Sequence, residues 1–221
     1  MAQASGWGGG TILSARGLRL LGLATLTLGA LTACSVLPQP KPTNLSRYQL
    51  EYHAAPGPVT ANPAGPVLLV AVPQVAAAFN TSRMAYVTRR YGIQYFARSQ
   101  WVDTPANMLA PLMVSALESS GRFGAVMRQP ATMPVRLRLD TMLIRLQQDF
   151  TVQPSRVELT LRARLTDLAG QRVLATRVFA VSQPAAKDDP YGGVAAANEA
   201  VQTLLKELTR FCVVHAQERG R

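Results

Sequence analysis

Cysteine and lysine are both scarce in this chain. Two cysteines, Cys34 and Cys212, stand among 221 residues, too few for a disulfide framework and without the spacing that a zinc site requires. Only two histidines occur; His53 ends a strand-like run and His215 lies near the C-terminus, and both read as surface or edge residues rather than bases. The "YGG" at 191–193 precedes a helix but lacks the Lys-Ser/Thr of a phosphate-binding loop. The Asp188-Asp189 pair reads as a charge complement to the start of that helix. No catalytic residues, no cofactor and no metal are expected. No acidic residue occurs before Glu51.

Arginine is what the chain has in excess: twenty, against three lysines, within a formal net charge of +11. Such a balance suits nucleic acid, anionic lipid or an acidic partner, and genomic base composition accounts for it equally well. Nucleic acid is disfavoured, because the arginines are spread along the whole length and aromatics are few outside residues 79–101. No zinc-finger spacing, RNP-like run or basic helix is present.

The N-terminus has three parts. "SARGLRL" carries Arg16 and Arg19; an apolar run "LLGLATLTLGAL" follows; then come Thr32, Ala33 and Cys34. The run is shorter than the roughly 20 residues a spanning helix needs, and its length suits the apolar region of a secretory signal. Leu31-Thr32-Ala33-Cys34 resembles the bacterial lipobox, which implies cleavage before Cys34 and lipidation of that residue. The competing reading is a buried apolar segment with an incidental cysteine. With Ser35 rather than Asp after the cysteine, the usual sorting pattern favours the outer membrane. Residues 1–33 are thus expected to be a signal peptide, with Met1 to about Ser14 suggesting a start codon placed too early. Residues 34–46 are expected to be an acylated cysteine and a tether. The tether "SVLPQPKPTNLS" has prolines at alternate positions and could reach roughly 35 Å in extended polyproline geometry. Cys212 is then left as a small core hydrophobe.

Residues 47–217 read as one α+β domain, mostly antiparallel strands with two helices on one face. "RYQLEYHA" (47–54) and "VLLVAVPQV" (67–75) are strands, the second buried on both faces. "SRMAYVTRR" and "YGIQYFARS" form a hairpin turning at Arg90-Tyr91-Gly92. A helix starts at Thr104 as N-cap with Pro105 first in the turn, is interrupted by Pro111 and ends at Gly121. Residues 135–150 alternate with a phase change that predicts a bulge near Thr141. Residues 157–167 alternate cleanly, a turn follows at 167–171, and 172–181 is the next strand. The stretch 188–216 is a long amphipathic helix, with Val194, Ala197, Val201, Leu204, Leu208 and Phe211 on one face.

This order, with "YQL" followed by "VAVPQVAAAFNTSRMAYVTRRYGIQYFARSQWVDTP" and a closing "VAAANEAVQTLLKEL", resembles the ABC-type transport auxiliary lipoproteins, the family that includes PqiC-like components. The resemblance implies an accessory role beside an MCE-domain protein and an inner-membrane ABC transporter that move phospholipid or other hydrophobic molecules across the periplasm. The lipoprotein would be the periplasm-facing outer-membrane end that docks the MCE protein. It carries over no catalytic residue.

Residues 79–101 are the leading binding candidate, because they concentrate aromatics and arginines, the usual anchors of interfaces. Arg89, Arg90, Tyr91 and Arg98 are expected to be exposed at the hairpin tip and strand ends, with Trp101 as an accompanying anchor. The polar strand face of Arg136, Arg138, Arg162 and Arg164 is a second candidate, set against an ordinary solvated sheet. Two alternatives to the docking role stand: a lipid carrier holding an acyl chain between helix and sheet, and a structural envelope lipoprotein with another partner. Self-association into a homo-oligomer is compatible with all of these.

Overall fold

The computed structural model describes residues 44–54, 62–131 and 133–217; Cys34, the expected signal peptide and most of the expected tether lie outside them. In chain order the elements are β1 (Ser46–Tyr48), β2 (Val67–Val70), β3 (Gln74–Val75), a turn of 3₁₀ helix (Ala77–Phe79), β4 (Arg83–Val87) and β5 (Gln94–Trp101). Then follow α1 (Pro105–Glu118), β6 (Ala125–Arg128), β7 (Leu137–Asp149), β8 (Arg156–Asp167), β9 (Arg172–Pro184) and α2 (Pro190–Gln217). The fold is α+β, as expected, and its nine strands form one mixed sheet.

The long strands follow the antiparallel expectation. β7, β8 and β9 pair antiparallel over nearly their full lengths. Apart from the β4–β5 pair, the short strands do not. Along the opposite edge of β7, β2, β3 and β4 pair in succession, all parallel. β2 pairs parallel with β6, and β1 pairs parallel with β5. β6 has only four residues, "AVMR", and its pairing with β2 is not legible in local periodicity.

The core lies between the sheet and the helices. On β8, Val157, Leu159, Leu161, Ala163 and Leu165 are all buried, as strict alternation requires. They meet Val201, Leu204, Leu205, Leu208, Phe211 and Cys212 of α2 and Leu109, Met113 and Leu117 of α1 within one cluster. Each such leucine removed from water contributes roughly 1.5–3 kcal/mol.

β7 departs from its expected register. Leu137, Leu139, Thr141 and Leu143 point inward, and the slip falls between Leu143 and Arg145, so Ile144 is the extra residue. The bulge is therefore three positions later than the phase change at Thr141 implied. Thr141 takes a core position with its hydroxyl 3.9 Å from the Met113 sulfur, while the apolar Met142 is only partly buried on the opposite face.

The ends of the helices carry their own explanations. Thr104 occupies the N-cap of α1, but its side chain makes no cap bond; Asp103 Oδ1 accepts from Thr104 N–H and from Asn107 Nδ2 instead. α1 stops at Glu118, and Gly121 takes a left-handed φ of 62° after it. At the other helix, Asp189 Oδ1 accepts from Gly192 N–H at 2.6 Å, satisfying an orphan donor of the first turn. Asp188 is turned away and accepts from Ser155 N–H at 2.7 Å. The two glycines of "YGG" serve close packing. A Cβ on Gly192 would lie 2.1 Å from the Lys187 carbonyl oxygen, and one on Gly193 would lie 2.2 Å from Gln148 Oε1.

The segment after β1 is not a strand of the sheet, although Tyr48, Leu50 and Tyr52 alternate. Its backbone is held by two amide side chains one turn apart on α2. Glu51 N–H donates to Asn198 Oδ1 and Asn198 Nδ2 donates to Gln49 O. His53 N–H donates to Gln202 Oε1 and Gln202 Nε2 donates to His53 O. The amides thus supply the donor and acceptor that a neighbouring strand would have offered.

Candidate partner-docking site

β4 and β5 form the expected hairpin, with Ala85 opposite Tyr95 and Tyr86 opposite Gln94. The turn is tight. Gly92 N–H donates to Arg89 O at 3.2 Å, and Tyr91 sits at φ 67°, an uncommon conformation for a residue with a large side chain. Tyr91 is 97% exposed, with the Arg90 guanidinium 5.4 Å from its ring centroid. Arg89 and Ile93 are exposed beside it. Sequence reasoning did not single out Ile93; its place directly after the Gly92 turn is the signal that would have found it.

The base of the hairpin is packed with aromatic rings. Tyr86 stacks on Phe96 at 4.4 Å between centroids, and Phe150 meets both rings edge-on. Tyr95 donates its hydroxyl to Ala78 O at 2.8 Å, and Arg83 lies 4.1 Å over the Tyr95 ring. These contacts fix the ring orientations by offset and edge-to-face geometry and by cation–π attraction. A solvent-exposed tip on a packed base is a loop displayed by a scaffold.

Two of the sequence candidates end up elsewhere. Trp101 is only 4% exposed and belongs to the core, so its ring is closed to a partner. Between the pairs Arg83–Gln100 and Ala85–Tyr95 the register slips, and this irregularity defeats simple alternation across β5. Arg98 lies in that irregular stretch, exposed as expected but away from the tip. Arg89, Arg90 and Tyr91 are the ones brought together.

The second candidate, the arginine face, lies on the side of the sheet away from the helices. Arg138 Nε lies 2.9 Å from Asp140 Oδ1, and Arg164 Nη2 lies 4.0 Å from Asp140 Oδ2. Among the described residues Arg162 Nη2 approaches the Met142 sulfur, at 3.6 Å. Arg136 precedes β7 and is exposed.

Where β4, β5, β7 and β8 meet the first half of α2 the packing is close. The hollow bounded by Met84, Phe96, Trp101, Leu146, Val157 and Ala197 has a volume of about 10 Å³, barely enough for one water. Two larger hollows flank the C-terminal end of α2, about 490 Å³ beside Val67, Leu137, Leu174 and Ala216 and about 430 Å³ beside Ala175, Arg177, Phe211 and Val214. Among the described residues no group of three or more His, Cys, Asp or Glu side chains is placed to hold a metal, and no helix is long and apolar enough to cross a membrane.

The fold is thus an α+β domain that displays an exposed arginine–aromatic tip. The chain belongs to the family of ABC-type transport auxiliary lipoprotein components, whose model matches residues 48–209. It is therefore an accessory lipoprotein of ABC-type transport. Among solved structures, protein XCC0632 from Xanthomonas campestris is similar at 26% identity, covering 79% of this chain and 98% of that one, with a TM-score of 0.69. The hypothetical protein CT253 from Chlamydia trachomatis shares the fold at 9% identity, covering 71% of this chain and 100% of that one, with a TM-score of 0.50. No curated protein matches the sequence.

Proposed function

We propose that this protein is the outer-membrane, periplasm-facing accessory component of an MCE-type ABC transport system for phospholipid or another hydrophobic molecule. Cys34 carries the lipid anchor, the proline-rich stretch that follows is the tether, and residues 47–217 are the domain. Its task is to dock an MCE-domain protein through the β4–β5 tip, and through that protein the inner-membrane ABC transporter. The observation that carries the reading is Tyr91: an almost fully exposed aromatic ring, held in a left-handed turn and flanked by Arg89 and Arg90. Exposed rings beside guanidinium groups are the side chains that anchor interfaces. Family membership supports the transport context.

The test is co-purification of the full-length lipoprotein with the MCE-domain protein. R89E with R90E, and separately Y91A, should each weaken capture by about tenfold or more, as interface anchors do. Thermal stability should stay within about 0.5 kcal/mol, because these side chains make few contacts with the fold. Normal capture by both folded variants would remove the tip from the docking surface.

A further inference from the structure

We propose that a hollow on the open face of the sheet is a binding site for a phosphomonoester dianion. It lies above β7 and β8, walled on one side by the chain that leaves β2 at Ala71-Val72, and has a volume of about 260 Å³. That falls just below the roughly 300 Å³ at which pockets for drug-sized ligands begin, a fit for a phosphorylated headgroup or a small sugar phosphate rather than an acyl chain. Three guanidinium groups, Arg138, Arg162 and Arg164, line it with one carboxylate, Asp140.

The charge does not balance. Asp140 is shared between Arg138 and Arg164, and among the described residues Arg162 has no acidic partner, only the Met142 sulfur. Elsewhere on the same strands the pattern is different: Glu158 lies opposite Gln147 and pairs with Arg145 at 3.2 Å. Across the two strands Arg164 faces Asp140 and Arg162 faces Met142, so the hollow keeps an excess of positive charge that a bound anion neutralises. Three positive charges against one negative leave two, and a phosphomonoester near neutral pH supplies about −1.5 to −2. Guanidinium forks match phosphate oxygens in paired hydrogen bonds. Gln74, Gln129 and Thr176 complete the lining with neutral donors. This site goes beyond partner docking and does not depend on it, since ligand binding here needs no second protein.

The experiment is calorimetric titration of the full-length protein in a nonionic detergent with glycerol 3-phosphate. Acetate serves as the monoanion control. Glycerol 3-phosphate should bind about tenfold more tightly than acetate, and its affinity should fall below about pH 6 as it gains its second proton. R162Q, which breaks no ion pair, and R162Q with R164Q should each lose binding by about tenfold or more, while R89E with R90E leaves it unchanged. A short-chain phosphatidic acid below its micelle concentration separates the two sources of the same chemistry. Tighter binding than glycerol 3-phosphate assigns the site to a lipid headgroup, and equal binding assigns it to a water-soluble phosphate. Equal affinity for acetate, or unchanged affinity in R162Q with circular dichroism like the parent's, overturns the proposal.

Discussion

Cys212 shows how completely one side chain is defined by its surroundings. It lies on α2 at zero exposure, and burial pushes its thiol up to about 12, because a thiolate there would lose its hydration without gaining a partner. The folded protein should therefore not react with a thiol-specific disulfide reagent at pH 8, and one equivalent should react once guanidinium unfolds it. C212S should lower unfolding free energy by about 1–3 kcal/mol, the cost of a hydroxyl in an apolar site. Its core role was legible from the apolar spacing of the last helix. Trp101 was not legible in the same way. An aromatic at the end of a hairpin strand is read as core or surface from parity, and the register slip in β5 breaks parity. Thr141 and Met142 misled for a related reason: the polar residue is inside and the apolar one partly outside, so hydrophobicity placed the bulge of β7 too early.

Elements were legible where one face is buried and the other wet. β8 satisfies that condition along its length, and α1 and α2 satisfy it with a different period. β3 and β6 do not; they are two and four residues long, and their identity comes from parallel neighbours distant in sequence. The start of α2 is decided by close approach rather than propensity. Alanine in place of Gly192 would gain about 1 kcal/mol on helix propensity alone. Its Cβ would nevertheless collide with the backbone of Lys187, and overpacking of this kind costs typically about 1–3 kcal/mol. Urea unfolding of G192A should therefore show a net loss of stability; a gain would mean that the 187–192 turn yields freely.

At the scale of the molecule, acid should be the condition that weakens it. Burial pushes the Asp149 carboxyl up, but the Thr151 hydroxyl and N–H and the Arg156 guanidinium outweigh this and hold it below the ordinary value of 3.8. Asp103 is lowered by Asn107 and the Thr104 N–H, and Asp188 by Ser155. A carboxylate whose pKa is depressed on folding stabilises the native state fully above its unfolded pKa, and that stability is lost as pH falls through the folded value. The unfolding midpoint should stay flat from pH 7 to about pH 5 and decline below about pH 4, with D149N showing a shallower acid limb. Localisation is a property of the whole chain too. C34S should accumulate as an unprocessed precursor without radioactive fatty acid label; normal maturation of that variant would remove the anchor from the proposal.

The paired amides on α2 have a mechanical consequence. A pull applied at Asn44 reaches β1 first, and β1 is paired with β5 at Ser99, Gln100 and Trp101. Beyond β1 the tension meets Asn198 and Gln202, whose four hydrogen bonds grip Gln49, Glu51 and His53. Those side chains are rooted in the longest helix of the domain, with Ala197, Val201 and Leu205 fully buried around them. Such a pull is thereby shared between the C-terminal end of β5 and the middle of α2.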